Sequence, residues 1–242
     1  MLPRFVGRVG LADAVTVANA AVGFVATILA PVDVEIAARL LLFAAIADGL
    51  DGVIARHHGS SEAGPFLDSL ADVSSFAVAP AALVYTVLVQ GWGLTPSVED
   101  PRYLVAVTVP ALFVAMAVVR LGLYTAYDTD GAYTEGVPST LAATIIGAAI
   151  LARIGLRQPE LVLAITLLFA YLMVTTIEYP DLLTGDALIM GVIHALAVLV
   201  PVTPLGRTFP VALLTLSLAY LLLSPWLYWR DGIGPLQPDG GA

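Results

Sequence analysis

The chain has 242 residues, of which 59% are hydrophobic and only 12% charged, with a mean hydropathy of +0.93. That excludes an ordinary soluble domain, in which about 25% of residues are charged. The net charge of −9, from 19 acidic residues against ten arginines and no lysine, excludes a basic nucleic-acid surface. The absence of cysteine removes disulfides, thiolate metal sites and thiol nucleophiles.

Apolar runs follow one another at 11–30, 36–56, 66–89, 103–123, 139–154, 161–177, 187–200 and 210–227. Measured against the roughly 20 residues that cross a 30 Å hydrocarbon core, they predict an all-α polytopic membrane bundle of six to eight transmembrane helices. Pro and Gly punctuate the runs at Pro31, 91–101, 128–138, Gln158-Pro159, 180–185 and 201–210. The expected organisation is one membrane domain over 1–230 and a disordered Gly/Pro-rich tail over 231–242. The first run lacks a small-residue cleavage site followed by polar sequence, so it reads as a retained helix. Trp92, Trp226, Tyr228 and Trp229 fall at run ends, as interfacial anchors do. Arginines divide evenly between the two faces, and only Arg4 and Arg8 favour a cytoplasmic N-terminus. The acidic, lysine-free composition fits a high-salt cytoplasm, where repulsion is screened, and equally a genome that favours Arg and Ala.

The second and third runs carry Asp48, Asp51, Asp68 and Asp72. An Asp near the bilayer centre costs roughly 2.5–3.5 kcal/mol on insertion scales, so the four require a cationic partner. Asp48, Asp51, Gly52 and Ala55 share one helical face by their spacing. Asp68 and Asp72 share a face of the next helix, with Gly64 one turn earlier. Oxygen-only ligands of this kind suit Mg²⁺ or Mn²⁺ together with substrate phosphates. Gly52, Ala55 and Gly64 leave room for a nucleotide diphosphate, and Arg56 offers a guanidinium fork for phosphate. Small-residue helix packing would explain the glycines but not four acids beside a single Arg. His57 and His58 point about 100° apart on a helix and read as solvated residues, and His194 as an interhelical hydrogen-bonding residue.

Asp48-x2-Asp51-Gly52-x2-Ala55-Arg56-x7-Gly64-x3-Asp68-x3-Asp72 matches without gap or substitution the signature of the CDP-alcohol phosphatidyltransferase family. The segment from Leu67 to Ala81 resembles the phosphatidylserine synthase branch, as do Thr16-Val17-Ala18-Asn19, Gly136-Val137-Pro138-Ser139 and the stretch from Tyr171 to Pro180. The resemblance covers roughly 10–180, and the last two runs rest on no recognised motif. One departure stands out: where that branch has Arg-Leu-Ala-Arg-Phe-Asn, this chain has Arg120-Leu121-Gly122-Leu123-Tyr124-Thr125, keeping only the first Arg.

The resemblance implies transfer of a phosphatidyl or archaetidyl group from a CDP-lipid to an alcohol, with release of CMP, by a multi-pass homodimer whose site faces the cytoplasm. It implies that Asp48, Asp51, Asp68 and Asp72 hold two Mg²⁺ or Mn²⁺ ions and that Asp72 is the general base. Thr16, Asn19, Gly52, Ala55, Arg56 and Gly64 would then line the nucleotide site. L-serine is the expected acceptor, with Arg120 against its carboxylate or, alternatively, snorkelling to the interface. Inositol phosphate or glycerol phosphate is the alternative acceptor, although a phosphorylated alcohol calls for more basic residues than Arg56 and Arg120. CDP-archaeol is the expected donor if the composition reflects an archaeal halophile. A divalent-cation transporter would need acids on several helices and an inverted repeat, and neither is apparent.

Overall fold

The computed structural model describes residues 9–58, 61–128, 133–180, 182, 184–201, 203 and 206–227, with only the backbone described for Arg56, His57, His58, Asp128 and Thr184. Arg4, Arg8, Tyr228, Trp229 and the 231–242 tail lie outside the described residues. Helices α1 (Leu11–Leu29) and α2 (Val34–His58) form a hairpin joined by a short turn. The buried side of α1 is small or polar: Ala12, Asp13, Thr16, Asn19, Gly23 and Ala26. Its outer side exposes Leu11, Val17, Phe24 and Ile28, the pattern of a helix whose solvent is lipid.

Helix α3 (Gly64–Asp72) starts with Pro65 in its first turn, where a missing N–H costs nothing. Directly after Asp72 the chain widens into a π-helical turn (Val73–Val78) before α4 (Ala79–Gly91). In that turn Ser74 donates to the Ala20 carbonyl and Ser75 to the Asn19 carbonyl, each at 2.9 Å. Gly23 permits the contact, since a Cβ there would lie 2.6 Å from Ser75 Cα. Helix α5 (Pro101–Leu123) is capped by Asp100, whose carboxylate accepts from the Arg102 N–H at 2.8 Å, and it too ends in a π-helical turn (Tyr124–Asp128).

Strand β1 (Tyr133–Glu135) leads through Gly136, at φ +74°, into α6 (Ser139–Leu151), and the short α7 (Ile154–Arg157) and α8 (Pro159–Leu172) follow. Strand β2 (Glu178–Pro180) pairs antiparallel with β1, with Thr134 opposite Tyr179, and α9 (Thr184–Leu199) and α10 (Thr208–Leu227) complete the described chain. Helix α6 is buried at every position from Ala142 to Leu151, so it is the enclosed helix of the bundle. Phe76, Phe113, Phe169, Leu41, Leu42 and Ile145 are among the fully buried side chains of the core.

Among the described residues four helical runs are long and apolar enough to cross a membrane: Leu11–Leu29, Gly64–Gly91, Pro101–Tyr127 and Thr208–Leu227. Helices α6, α8 and α9 are shorter and apolar, and α2 has the length, with charges concentrated toward its C-terminal end. The chain is therefore a multi-pass helical membrane protein, as the apolar runs predict. Two details differ. An antiparallel pair of short strands, distant in the chain, interrupts the all-α pattern, and the run expected at 161–177 is helical only to Leu172 before turning toward β2. The β-branched Thr175, Thr176 and Ile177 favour that extension over helix.

Candidate active site

One end of the bundle collects the start of α1, the C-terminal half of α2, α3, the end of α5, β1 and the start of α6. The opposite end is closed by ordinary structural contacts. There Glu35 pairs with Arg153 at 2.8 Å, Trp92 donates to Glu160 at 2.8 Å, and Arg39 donates to the Val198 and Val200 carbonyls that end α9.

At the first end, Asp48, Asp68 and Asp72 each offer a carboxylate oxygen, and these lie within 4.8 Å of one another. Asp72 is 8% exposed, and its Oδ1 has no hydrogen-bond partner among the described residues. Thr140, in the first turn of α6, reaches Asp48. Asp51, one turn beyond Asp48 on α2, is buried and accepts from the Thr16 hydroxyl at 2.7 Å, so it stands beside the three-carboxylate group rather than in it. Converging carboxylates with an unpartnered buried oxygen are unfavourable on their own and are the donor set of a hard divalent cation, so the residues present fit Mg²⁺ or Mn²⁺.

A pocket of about 330 Å³ opens against this group, lined by Asp13, Thr16, Asp48, Asp51, Gly52, Ala55, Gly64 and Asp68, with Ala12, Pro65, Tyr124 and Thr125 completing the wall. Gly52, Ala55 and Gly64 form a wall without bulk. Arg120 is 7% exposed at the end of α5 and acts electrostatically on Asp72. It donates to Thr134 on β1 at 3.1 Å and stacks over the Tyr124 ring, 5.5 Å from its centroid. It is folded inward, so the snorkelling alternative does not hold. The hydroxyls of Ser69 and Thr125 share a hydrogen bond across α3 and the turn after α5.

Asp48, Asp51, Asp68, Thr16, Gly52, Ala55 and Gly64 are thus brought together around one cavity, and Asp72 joins them through its approach to Asp48 and Asp68 without lining it. Asn19 is not among the lining residues: its backbone carbonyl and, at 3.5 Å, its side-chain oxygen face Ser75. One turn deeper along α1 than Thr16, its side chain falls at the helix–helix contact. The Arg56 side chain lies outside the described residues. His194 bridges helices, sharing a hydrogen bond with Thr144 at 3.3 Å. Asp13, Ser69, Tyr124, Thr125, Thr134 and Thr140 were not singled out for the site by sequence reasoning. Asp13 was legible, since it stands three residues before Thr16 on the same face of α1; the others depend on how α5, α6 and β1 close over α3.

The fold is thus a helical membrane bundle with a carboxylate-lined pocket at one end and, next to it, a buried Arg that acts electrostatically on Asp72. A family model described as CDP-alcohol phosphatidyltransferase matches residues 9–177, and the chain belongs to that family. An archaetidylserine synthase of Methanothermobacter thermautotrophicus is 32% identical over 177 residues, 71% of this chain and 70% of the relative. A CDP-diacylglycerol–serine O-phosphatidyltransferase of Helicobacter pylori is 31% identical over 150 residues, 59% of each chain. One of the same description from Mycobacterium tuberculosis is 36% identical over 96 residues, 39% of this chain and 30% of the relative. Helices α9 and α10 lie beyond the matched segment.

Proposed function

We propose that the chain transfers a phosphatidyl or archaetidyl group from a CDP-activated lipid to the hydroxyl of L-serine and releases CMP. The observation that carries this reading is the convergence of Asp48, Asp68 and Asp72 within 4.8 Å beside the pocket. Serine comes from the names of the relatives, archaetidylserine synthase and CDP-diacylglycerol–serine O-phosphatidyltransferase. Arg120 agrees with it, being the one buried guanidinium among the described residues and suited to a carboxylate, whereas a phosphorylated acceptor calls for several basic groups.

Asp48, Asp51, Asp68 and Asp72 would hold two divalent ions, Mg²⁺ or Mn²⁺, which when bound neutralise the diphosphate and the departing CMP. The chain's own groups do the rest. Thr16 holds the Asp51 carboxylate in orientation, and Gly52, Ala55 and Gly64 let the nucleotide lie close to the backbone. Arg120 orients serine with its hydroxyl toward Asp72. The serine oxygen forms a bond to the lipid-bearing phosphorus as the bond from that phosphorus to the bridging oxygen of CMP breaks. Asp72 takes the hydroxyl proton, and CMP leaves with the electron pair. In this reading the site faces the cytoplasm, the protein is a homodimer, and the donor in a halophilic archaeon is CDP-archaeol.

The acceptor is tested by measuring CMP release from a CDP-lipid with serine, glycerol phosphate and inositol phosphate in parallel. Serine-dependent release is expected. Release with a phosphorylated alcohol and none with serine overturns the acceptor and leaves the family chemistry standing.

A further inference from the structure

We propose that Tyr220 of α10 is a positioning residue for the acceptor end of the site, fixing the β1–β2 pair against which Arg120 is held. The proposal rests on the reading of Arg120 as the partner of the acceptor carboxylate.

Arg120 donates from Nη2 to the Thr134 hydroxyl at 3.1 Å, so the place of its guanidinium depends on the place of β1. Thr134 is the middle residue of a three-residue strand whose partner, β2, is equally short. Two strands alone are marginally stable at best. This pair also carries a repulsion, since Glu135 stands directly opposite Glu178, and like charges so placed destabilise a ladder. The strands are far apart in the chain, so no tight turn sets their register. Contacts from outside the pair must hold it.

One end is held by neighbouring backbone: the Gly136 N–H donates to the Ile177 carbonyl at 2.8 Å and the Val137 N–H to the Leu172 carbonyl at 3.1 Å. At the other end Tyr133 stands opposite Pro180, which has no N–H to give the ladder. There the Tyr220 hydroxyl donates to the Pro180 carbonyl. The Tyr220 ring lies beside that of Tyr179, with centroids 6.5 Å apart. Tyr179 is buried and directly opposite Thr134, so these two side chains share a face of the pair. Tyr220 therefore fixes the end of β2 and packs on the residue that backs Thr134. A tyrosine that only joined helices would bond another helix; this one bonds the strand pair that carries the partner of Arg120.

Both β2 and α10 lie beyond the matched 9–177 segment, and α10 supplies no carboxylate to the three-Asp group. Loss of Tyr220 should accordingly be felt by the acceptor and not by the CDP-lipid.

The test is steady-state CMP release by the purified full-length protein in detergent, with serine and CDP-lipid varied in turn. The wild type is compared with Tyr220→Phe, Tyr220→Leu, Arg120→Ala and the double variant Arg120→Ala with Tyr220→Phe. Tyr220→Phe should raise the serine KM by roughly 2- to 10-fold, the effect of one neutral hydrogen bond, and leave the CDP-lipid KM unchanged. Tyr220→Leu, which loses the ring as well, should raise the serine KM at least as much. In the Arg120→Ala background Tyr220→Phe should add nothing, as expected of residues that act through one another. KM does not depend on the fraction of protein folded, so a poorly folding variant is still read. An unchanged serine KM in both Tyr220 variants, an equal rise in both KM values, or full additivity in the double variant makes Tyr220 a packing residue and overturns the proposal. Those results leave the acceptor reading standing, whereas a wild-type serine KM in Arg120→Ala overturns that reading and the proposal with it.

Discussion

Thr16 on α1 donates its hydroxyl to Oδ2 of Asp51 on α2 at 2.7 Å, and both side chains are buried. The bond joins the first helix of the hairpin to the signature helix at the height of the pocket. A hydrogen bond to a charged group is worth about 1.5–3 kcal/mol. Thr16→Val should therefore raise the CDP-lipid KM by roughly 10-fold or more while leaving the serine KM nearly unchanged, and Thr16→Ser should restore it. Steady-state kinetics with each substrate varied in turn check this; equal effects on both KM values would mean that Thr16 only packs α1 on α2.

Asp72 and Asp48 should separate by kinetic signature. Asp72→Asn should leave CDP-lipid binding largely intact and cut kcat by about 10² to 10⁴, the range for loss of a general base. Asp48→Asn should weaken divalent-cation and nucleotide binding together. Turnover and nucleotide binding are measured on the same preparations, and identical binding losses in both variants remove the case for Asp72 as base.

Arg120 has structural partners in Thr134 and Tyr124, so its prediction needs a control. Arg120→Ala should raise the serine KM by roughly 10- to 100-fold, as expected for loss of a charge-assisted bond in a partly desolvated site. Thr134→Val removes a structural partner without removing the guanidinium and should change the serine KM much less. If the two variants behave alike, Arg120 serves the β1 contact and not the acceptor.

Gly23 and Gly122 give opposite expectations for the same substitution. A Cβ at Gly23 meets the Ser75 backbone at 2.6 Å, while one at Gly122 meets nothing within 4 Å. Gly23→Ala should destabilise by about 1–3 kcal/mol through overpacking and disturb the turn after Asp72. Gly122→Ala should be neutral or stabilise by up to about 1 kcal/mol. Thermal unfolding in one detergent compares them, and a Gly23→Ala variant as stable as wild type contradicts the close packing of α1 on the π-helical turn.

The four aspartates could be read from the sequence because their helical spacing and their cost in a membrane act locally. The i, i+3 and i, i+4 separations put the pairs on shared faces, and the short connection between α2 and α3 obliges those faces to meet. The bundle was legible for a similar reason, since apolar run length is set by bilayer thickness. The π-helical turn after Asp72 was not, because it depends on Gly23 yielding space to Ser75 on another helix. Nor was the inward fold of Arg120. Its direction comes from Thr134 and Tyr124, and pairing of β1 with β2 brings Thr134 within reach. The depth of Asn19 was not legible either: its spacing from Thr16 suggests a shared role, and at 1.5 Å per residue it lies about one turn deeper, with its backbone and side-chain oxygens facing Ser75.

The central claim is that the carboxylates of α2 and α3 act as a divalent-cation site in a CDP-lipid transferase. Its most direct measurement is formation of the serine phospholipid and CMP from a CDP-lipid and serine, with Mg²⁺ or Mn²⁺ and with excess chelator. Both products should appear in equal amounts with the cation, vanish in chelator and return when the cation is restored, whereas full turnover in excess chelator would contradict the account.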